Sequence, residues 1–184
     1  MNPIYDELQV VALLQDPSTV KRGFEIIVRQ HSEQMYWQIR RMVFDHDDAN
    51  DVLQNTFLKA WTNIENFRGD SKISTWLYRI AFNECLTFIN NKKAEYTVCI
   101  DDVADSEIKS LSSDSYFEGT EAQRLLQEAI KILPEKQRII FNLKYFDELK
   151  YEEMSDILGV TVGALKASYF HAVQKIQKFI QDSL

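Results

Sequence analysis

Tyr151-Glu152-Glu153-Met154-Ser155-Asp156-Ile157-Leu158-Gly159-Val160-Thr161-Val162-Gly163-Ala164-Leu165-Lys166-Ala167-Ser168-Tyr169-Phe170-His171-Ala172 decides how this chain folds. Met154, Ile157 and Leu158 recur at helical steps and stop at Gly159; Leu165, Tyr169, Ala172, Val173 and Ile176 resume the period beyond Thr161. Glycine enters the left-handed turn conformation without a Cβ clash, and a threonine two residues later offers an acceptor to the free N–H groups of a new helix. The pattern is a helix-turn-helix. Gly163, Lys166, Ala167, Phe170 and His171 fall away from the apolar stripe, small and polar enough to enter a major groove.

Upstream of that motif, Leu125, Leu126, Ala129, Ile130, Ile132 and Leu133 form an amphipathic helix, and Pro134 opens a second one running to about Phe146. Nearer the start of the chain, four helices are expected at about Ile4 to Gln15, Ser18 to Phe44, Asp47 to Asn63 and Ile73 to Lys92. Asp16-Pro17-Ser18 stops and restarts the pattern, Asp47 and Asp48 place negative charge at a helix start, and Gly69-Asp70-Ser71 breaks the period before the last helix. Leu53, Phe57, Ala60, Trp61 and Ile64 in the third helix, and Ile73, Trp76, Leu77, Ile80 and Ala81 in the fourth, read as core stripes.

The composition agrees with an all-α protein. In 184 residues there are only 5 glycines and 3 prolines, little material for the turns of an all-β fold. Two cysteines, Cys85 and Cys99, are too few for a disulfide framework and suit a reducing interior. No leader pattern or membrane-length apolar run is present, so a cytoplasmic protein without membrane insertion is expected. The charge is unevenly placed: residues 1–93 carry 12 acidic and 11 basic side chains, 94–120 carry 7 and 1, and 121–184 carry 9 and 9. Residues 94–120, serine-rich and self-repelling, are expected to be a flexible acidic linker between two small helical domains, 1–93 and 121–184.

Two clusters before the linker carry chemistry. Asp45-His46-Asp47-Asp48-Ala49-Asn50-Asp51, with Gln54 and Asn55 a turn later, makes an acidic and amide-rich helix face suited to a basic partner surface or a cation. Asn66-Phe67-Arg68-Gly69-Asp70-Ser71-Lys72, leading into Thr75-Trp76-Leu77-Tyr78-Arg79-Ile80-Ala81-Phe82-Asn83, interleaves aromatic, amide and basic residues. Bases leaving a duplex are held by stacking, amide hydrogen bonds and phosphate-neutralising cations, and this stretch offers all three. A metal-dependent enzyme is disfavoured, because His31, His46 and His171 are the only histidines and form no ligand set. No catalytic residue, metal or cofactor is expected. A conventional repressor or activator is the other rival, but such proteins usually dimerise on two half-sites and no dimerisation segment is evident.

Together these motifs resemble the extracytoplasmic-function (ECF) group of bacterial RNA polymerase sigma factors. The resemblance rests on Asp48-Ala49-Asn50-Asp51-Val52-Leu53-Gln54-Asn55-Thr56-Phe57, on Phe67-Arg68-Gly69-Asp70-Ser71 with Thr75 to Asn83, and on Leu133-Pro134 followed by the helix-turn-helix. It implies that Asp48, Asp51, Gln54 and Phe57 lie on the helix docking core RNA polymerase. It further implies that Asn66, Phe67, Arg68, Asp70 and Ser71 form the loop capturing a flipped base of the −10 element, with Arg79 and Asn83 on the adjoining helix. Thr161, Gly163, Lys166, Ala167, Ser168 and His171 would face the −35 duplex of promoter DNA. Many ECF factors carry arginines where this chain has Ser168 and His171, which implies a weaker duplex grip, more dependent on Lys166 and groove shape. The family also implies an anti-sigma factor as partner. The free protein is expected to be a monomer that binds DNA poorly without polymerase, since a neutral reading domain and an acidic linker release few counterions.

Overall fold

The computed structural model describes residues 6–98 and 121–183, and among them every regular element is helical. The chain divides into two compact units, carried mainly by residues up to Ile89 and by the C-terminal helices. The segment expected to be the acidic linker lies, apart from its first residues, outside the described residues.

The first unit contains α1 (Glu7–Gln15), α2 (Val20–Val43), α3 (His46–Thr62), a single 3-10 turn (Ile64–Asn66) and the greater part of α4 (Ile73–Val98), up to Ile89. Asp6 caps α1 by accepting from the Leu8 N–H at 3.0 Å. The α2–α3 corner is two residues long. Phe44 turns left-handed at φ 63° to close α2, and Asp45 accepts from the N–H groups of Asp47 and Asp48 at 2.9 and 3.0 Å to open α3. The capping carboxylate is therefore Asp45, two residues ahead of the expected start, leaving Asp47 and Asp48 in the first turn where the helix dipole favours them. The last helix is longer than its apolar period suggested. It runs through Val98, into the stretch assigned to the linker, because Lys92-Lys93-Ala94-Glu95 are good helix formers with no glycine or proline to stop them.

Ile27, Met35 and Ile39 of α2, Val52 and Thr56 of α3, and Ile73 and Leu77 of α4 are fully buried and form the core. The buried Thr56 hydroxyl donates to the Val52 carbonyl at 2.7 Å, so no polar group is stranded there. Here the structure corrects the expected stripe on α3. Its inward face is Ala49, Val52, Thr56 and Ala60, small side chains that let α2 approach closely, while Leu53 and Phe57 are only half-buried and Trp61 is 40% exposed. Ile64, on the following turn, is buried as expected.

The second unit contains α5 (Glu121–Lys131), α6 (Glu135–Tyr145), α7 (Tyr151–Leu158) and α8 (Val162–Ser183). Pro134 occupies the cap position of α6, where its missing N–H costs nothing. Leu125, Ile130, Leu133, Leu143, Met154, Leu165, Ala172 and Ile176 are buried together, whereas Ile132, expected in the core, is 59% exposed just past the end of α5. Gly159 closes α7 at φ 65°, and Thr161 Oγ1 accepts from the Ala164 N–H at 3.4 Å to open α8. Phe141 stacks on Tyr169 at 5.9 Å between ring centroids, locking α6 to α8. The turn and the second helix of the motif are thus held rigidly on their own core.

Candidate functional site

Three surfaces carry the residues singled out from the sequence. The first lies on α3 and the adjacent face of α2. Because the small residues of α3 face inward, the large ones face out: Leu53, Phe57, Leu58 and Trp61 join Phe24 of α2 around an open apolar groove edged by Asn50 and Gln54. Phe24 meets Trp61 at 5.1 Å and Phe57 at 6.4 Å between centroids, so the aromatic surface is braced rather than loose. Leu58 is 57% exposed. Asp51 and Gln54 are exposed and Asp48 is half-buried. At the helix start, both ring nitrogens of His46 are engaged, Nδ1 with the Tyr36 hydroxyl at 2.6 Å and Nε2 with the Asn50 amide at 3.2 Å. The acid-and-amide face and the apolar groove form one surface, on which Phe57 and Trp61 pack against Phe24 and still leave part of their rings open to a partner.

The second surface is the loop between the 3-10 turn and α4. Asn66, Arg68, Asp70 and Ser71 are exposed, as are Arg79 and Asn83 one turn apart on α4. Phe67 is different. It is 6% exposed and lies on Trp76 at 4.9 Å between centroids, so it anchors the loop from beneath instead of offering a ring for stacking. The local sequence does not separate these roles, because an aromatic two residues before a turn glycine serves either. Gly69 takes φ 80°, the left-handed turn that lets the loop fold back over the domain. The loop therefore projects polar and basic groups from an aromatic base, a geometry able to hold an extruded base by hydrogen bonds and to balance phosphate charge.

The third surface is the outward side of α8. Thr161, Gly163, Lys166, Ala167 and His171 are exposed, and Ser168 is half-buried at the edge of the packed face. Phe170 is 57% exposed beside His171. Lys166 Nζ stands 5.6 Å from the centre of the Tyr151 ring, a cation–π contact that steadies a flexible cation. Gln174, Lys175 and Lys178 extend the exposed polar side along the helix. In the sequence, lysines after the motif look like an ordinary solvated face.

Among the described residues, no group of three or more His, Cys, Asp and Glu side chains is placed to hold a metal ion. No described helix is long and apolar enough to cross a membrane.

Comparison with known proteins gives this architecture a family. Residues 27–95 match Sigma-70 region 2, and residues 123–176 match Sigma-70, region 4. The chain is 32% identical over 176 residues to the ECF RNA polymerase sigma factor SigW of Bacillus subtilis, covering 89% of this chain and 94% of that one. It is 31% identical to the RNA polymerase sigma-H factor of Pseudomonas aeruginosa, covering 89% of each. Its fold is similar to that of the sigma factor RpoE solved with the anti-sigma factor NepR from Bartonella quintana, with a TM-score of 0.72, 21% identity, and coverage of 87% of this chain and 98% of that one. It is also similar to CnrH solved with the cytosolic domain of CnrY, at a TM-score of 0.70, 18% identity, and coverage of 97% and 99%. With both sigma regions present in order and a curated relative aligned along nearly its whole length, the chain belongs to the ECF sigma factors, alternative sigma factors that direct RNA polymerase to promoters.

Proposed function

We propose that this sigma factor divides its work among the three surfaces. The α3 face, with Asp48, Asp51, Gln54 and Phe57, docks on core RNA polymerase. The loop residues Asn66, Arg68, Asp70 and Ser71, with Arg79 and Asn83, hold a flipped base of the −10 element and so assist DNA melting. Thr161, Gly163, Lys166, Ala167, Ser168 and His171 read the −35 duplex. In domain terms, 1–93 serves polymerase and the −10 element, 94–120 is the linker and 121–184 serves the −35 element. The observation that carries the reading is the arrangement of α3: its small residues are buried, while Leu58 and Trp61 are exposed and Leu53 and Phe57 only half-buried, an arrangement that leaves apolar surface for a partner.

The chain is a protein subunit of the transcription machinery rather than an enzyme, and it works in the cytoplasm, where polymerase and chromosome are. An anti-sigma factor is a further partner on this reading. The sigma factor RpoE was solved with the anti-sigma factor NepR, and an apolar groove needed only in the holoenzyme is a surface that an inhibitor can cover.

The test is transcription. Purified protein, bacterial core polymerase and fragmented genomic DNA are incubated under multi-round conditions and the transcript 5′ ends are sequenced. Start sites sharing two upstream motifs, lost with Arg68→Ala and Asn83→Ala, are expected. No transcripts and no co-elution with core polymerase would overturn the reading.

A further inference from the structure

The loop that carries Arg68, Asp70 and Ser71 does not hold its position through α3 and α4 alone. Three contacts tie it to α1, a helix that precedes the stretch matched by Sigma-70 region 2. Glu7 Oε1 accepts from the Ile73 N–H at 2.6 Å. Ile73 is the first residue of α4, so a side chain from a distant helix caps its start. One turn along α1, Val11 lies under Gly69, where a Cβ would come within 3.0 Å of Val11 Cγ1. A further turn along, Gln15 Nε2 donates to the Arg68 carbonyl at 3.4 Å. Residues 7, 11 and 15 are spaced by four, so a single face of α1 runs beneath the loop and touches it at its start, its glycine and the helix it enters.

The charge is suited to the place as well. The N-terminus of α4 is a natural anion site beside a surface meant for nucleic acid. The Glu7 carboxylate fills it, so the helix start is held by the protein itself and not left for a phosphate to reorganise. Gly69, at φ 80°, is the most deformable link in the loop, and it is the residue that α1 covers.

We propose that α1 is a brace that fixes the 67–72 loop in the form competent to capture the extruded base, with Glu7, Val11 and Gln15 as positioning residues. This rests on the reading of that loop as the −10 surface. Base capture is an ordering event, and a loop held in place beforehand has less freedom to lose. Loss of the brace therefore weakens capture without touching the docking or −35 surfaces.

The experiment uses full-length protein reconstituted with core polymerase. The probe is a fluorescent single-stranded oligonucleotide carrying the non-template −10 sequence of a promoter mapped with the wild-type holoenzyme. Glu7→Ala is expected to bind it about fivefold more weakly, as follows from losing one helix cap, with unchanged affinity for core polymerase. Glu7→Gln, which keeps an acceptor for the Ile73 N–H without the charge, restores binding to within about twofold of wild type. Gln15→Ala weakens it in the same direction, and amide exchange across residues 68–73 quickens in both alanine variants. Arg68→Ala and Asn83→Ala are run alongside. If these two reduce binding but Glu7→Ala and Gln15→Ala leave it unchanged despite faster exchange, the brace is refuted and the loop reading survives. If none of the four changes binding, the loop reading itself has failed and the brace falls with it. Failure of Glu7→Gln to restore binding would also overturn the capping role.

Discussion

Two residues of α3 separate docking from stability, because Leu58 faces out and Val52 faces in. Leu58 is 57% exposed in the free chain, so only about two-fifths of its side chain contributes to folding. Full burial of a leucine is worth about 1.5–3 kcal/mol, which puts the folding cost of Leu58→Ala at about 0.6–1.3 kcal/mol. The exposed remainder, about 0.9–1.7 kcal/mol, is realised only when polymerase covers it, so affinity for core polymerase falls roughly 5- to 20-fold. Val52, nearly two turns away and 1% exposed, is the counterpart. Val52→Ala costs about 1–3 kcal/mol of stability by opening a cavity, yet below its melting temperature it docks normally. Thermal melts followed by circular dichroism give the first quantity, and anisotropy of labelled protein titrated with core polymerase gives the second. Equal docking by Leu58→Ala and wild type, or a docking defect in folded Val52→Ala as large as that of Leu58→Ala, would refute the reasoning.

Three further outcomes are expected. Burial holds the His31 imidazole below its ordinary value of 6.5, with the Glu7 carboxylate only partly opposing this, so the unfolded chain takes up the proton first. Stability is then intact above about pH 6.5 and declines as the pH falls below it, and a melting series from about pH 8 to 5 flattens in His31→Leu. Gly159→Ala meets no neighbouring atom but must hold φ 65°, so it costs about 1–2 kcal/mol through the backbone alone, seen as a lowered melting temperature of the full chain. Lys59 pairs with the buried carboxylate of Glu84 across α3 and α4. A double-mutant cycle on Lys59→Ala and Glu84→Gln should give a coupling of about 0.5–1 kcal/mol that shrinks with added salt, because the lysine end is exposed.

The helix-turn-helix was legible because its signals are local: Gly159 for the left-handed turn, Thr161 for the cap and an apolar period on either side. The break at Asp16-Pro17-Ser18 was legible for the same reason. The order of the faces on α3 was not. Val52, Leu53, Phe57, Leu58 and Trp61 spread apolar residues over more of the helix than one core stripe needs, and periodicity alone assigns the large ones to the core. What decides it is the spacing to α2, set by Ala49 and Ala60, and that is a tertiary fact. Phe67 shows the opposite case. Its place among amide and basic residues suits a ring turned outward, yet it packs on Trp76, since only the fold says which side of the loop an aromatic turns to. The contacts from Glu7, Val11 and Gln15 to the loop span more than fifty residues of sequence and left no trace in any local pattern.

The most direct test is a crosslinking map. A photoreactive residue is placed in turn at Leu58, Asn83 and Lys166, and each protein is assembled with core polymerase on a promoter mapped by transcript sequencing. Position 58 should crosslink to polymerase, position 83 to the non-template strand at the −10 element, and position 166 to the −35 duplex. Crosslinking of position 58 to DNA, or of position 83 to the −35 duplex instead of the −10 strand, would contradict the division of labour described above.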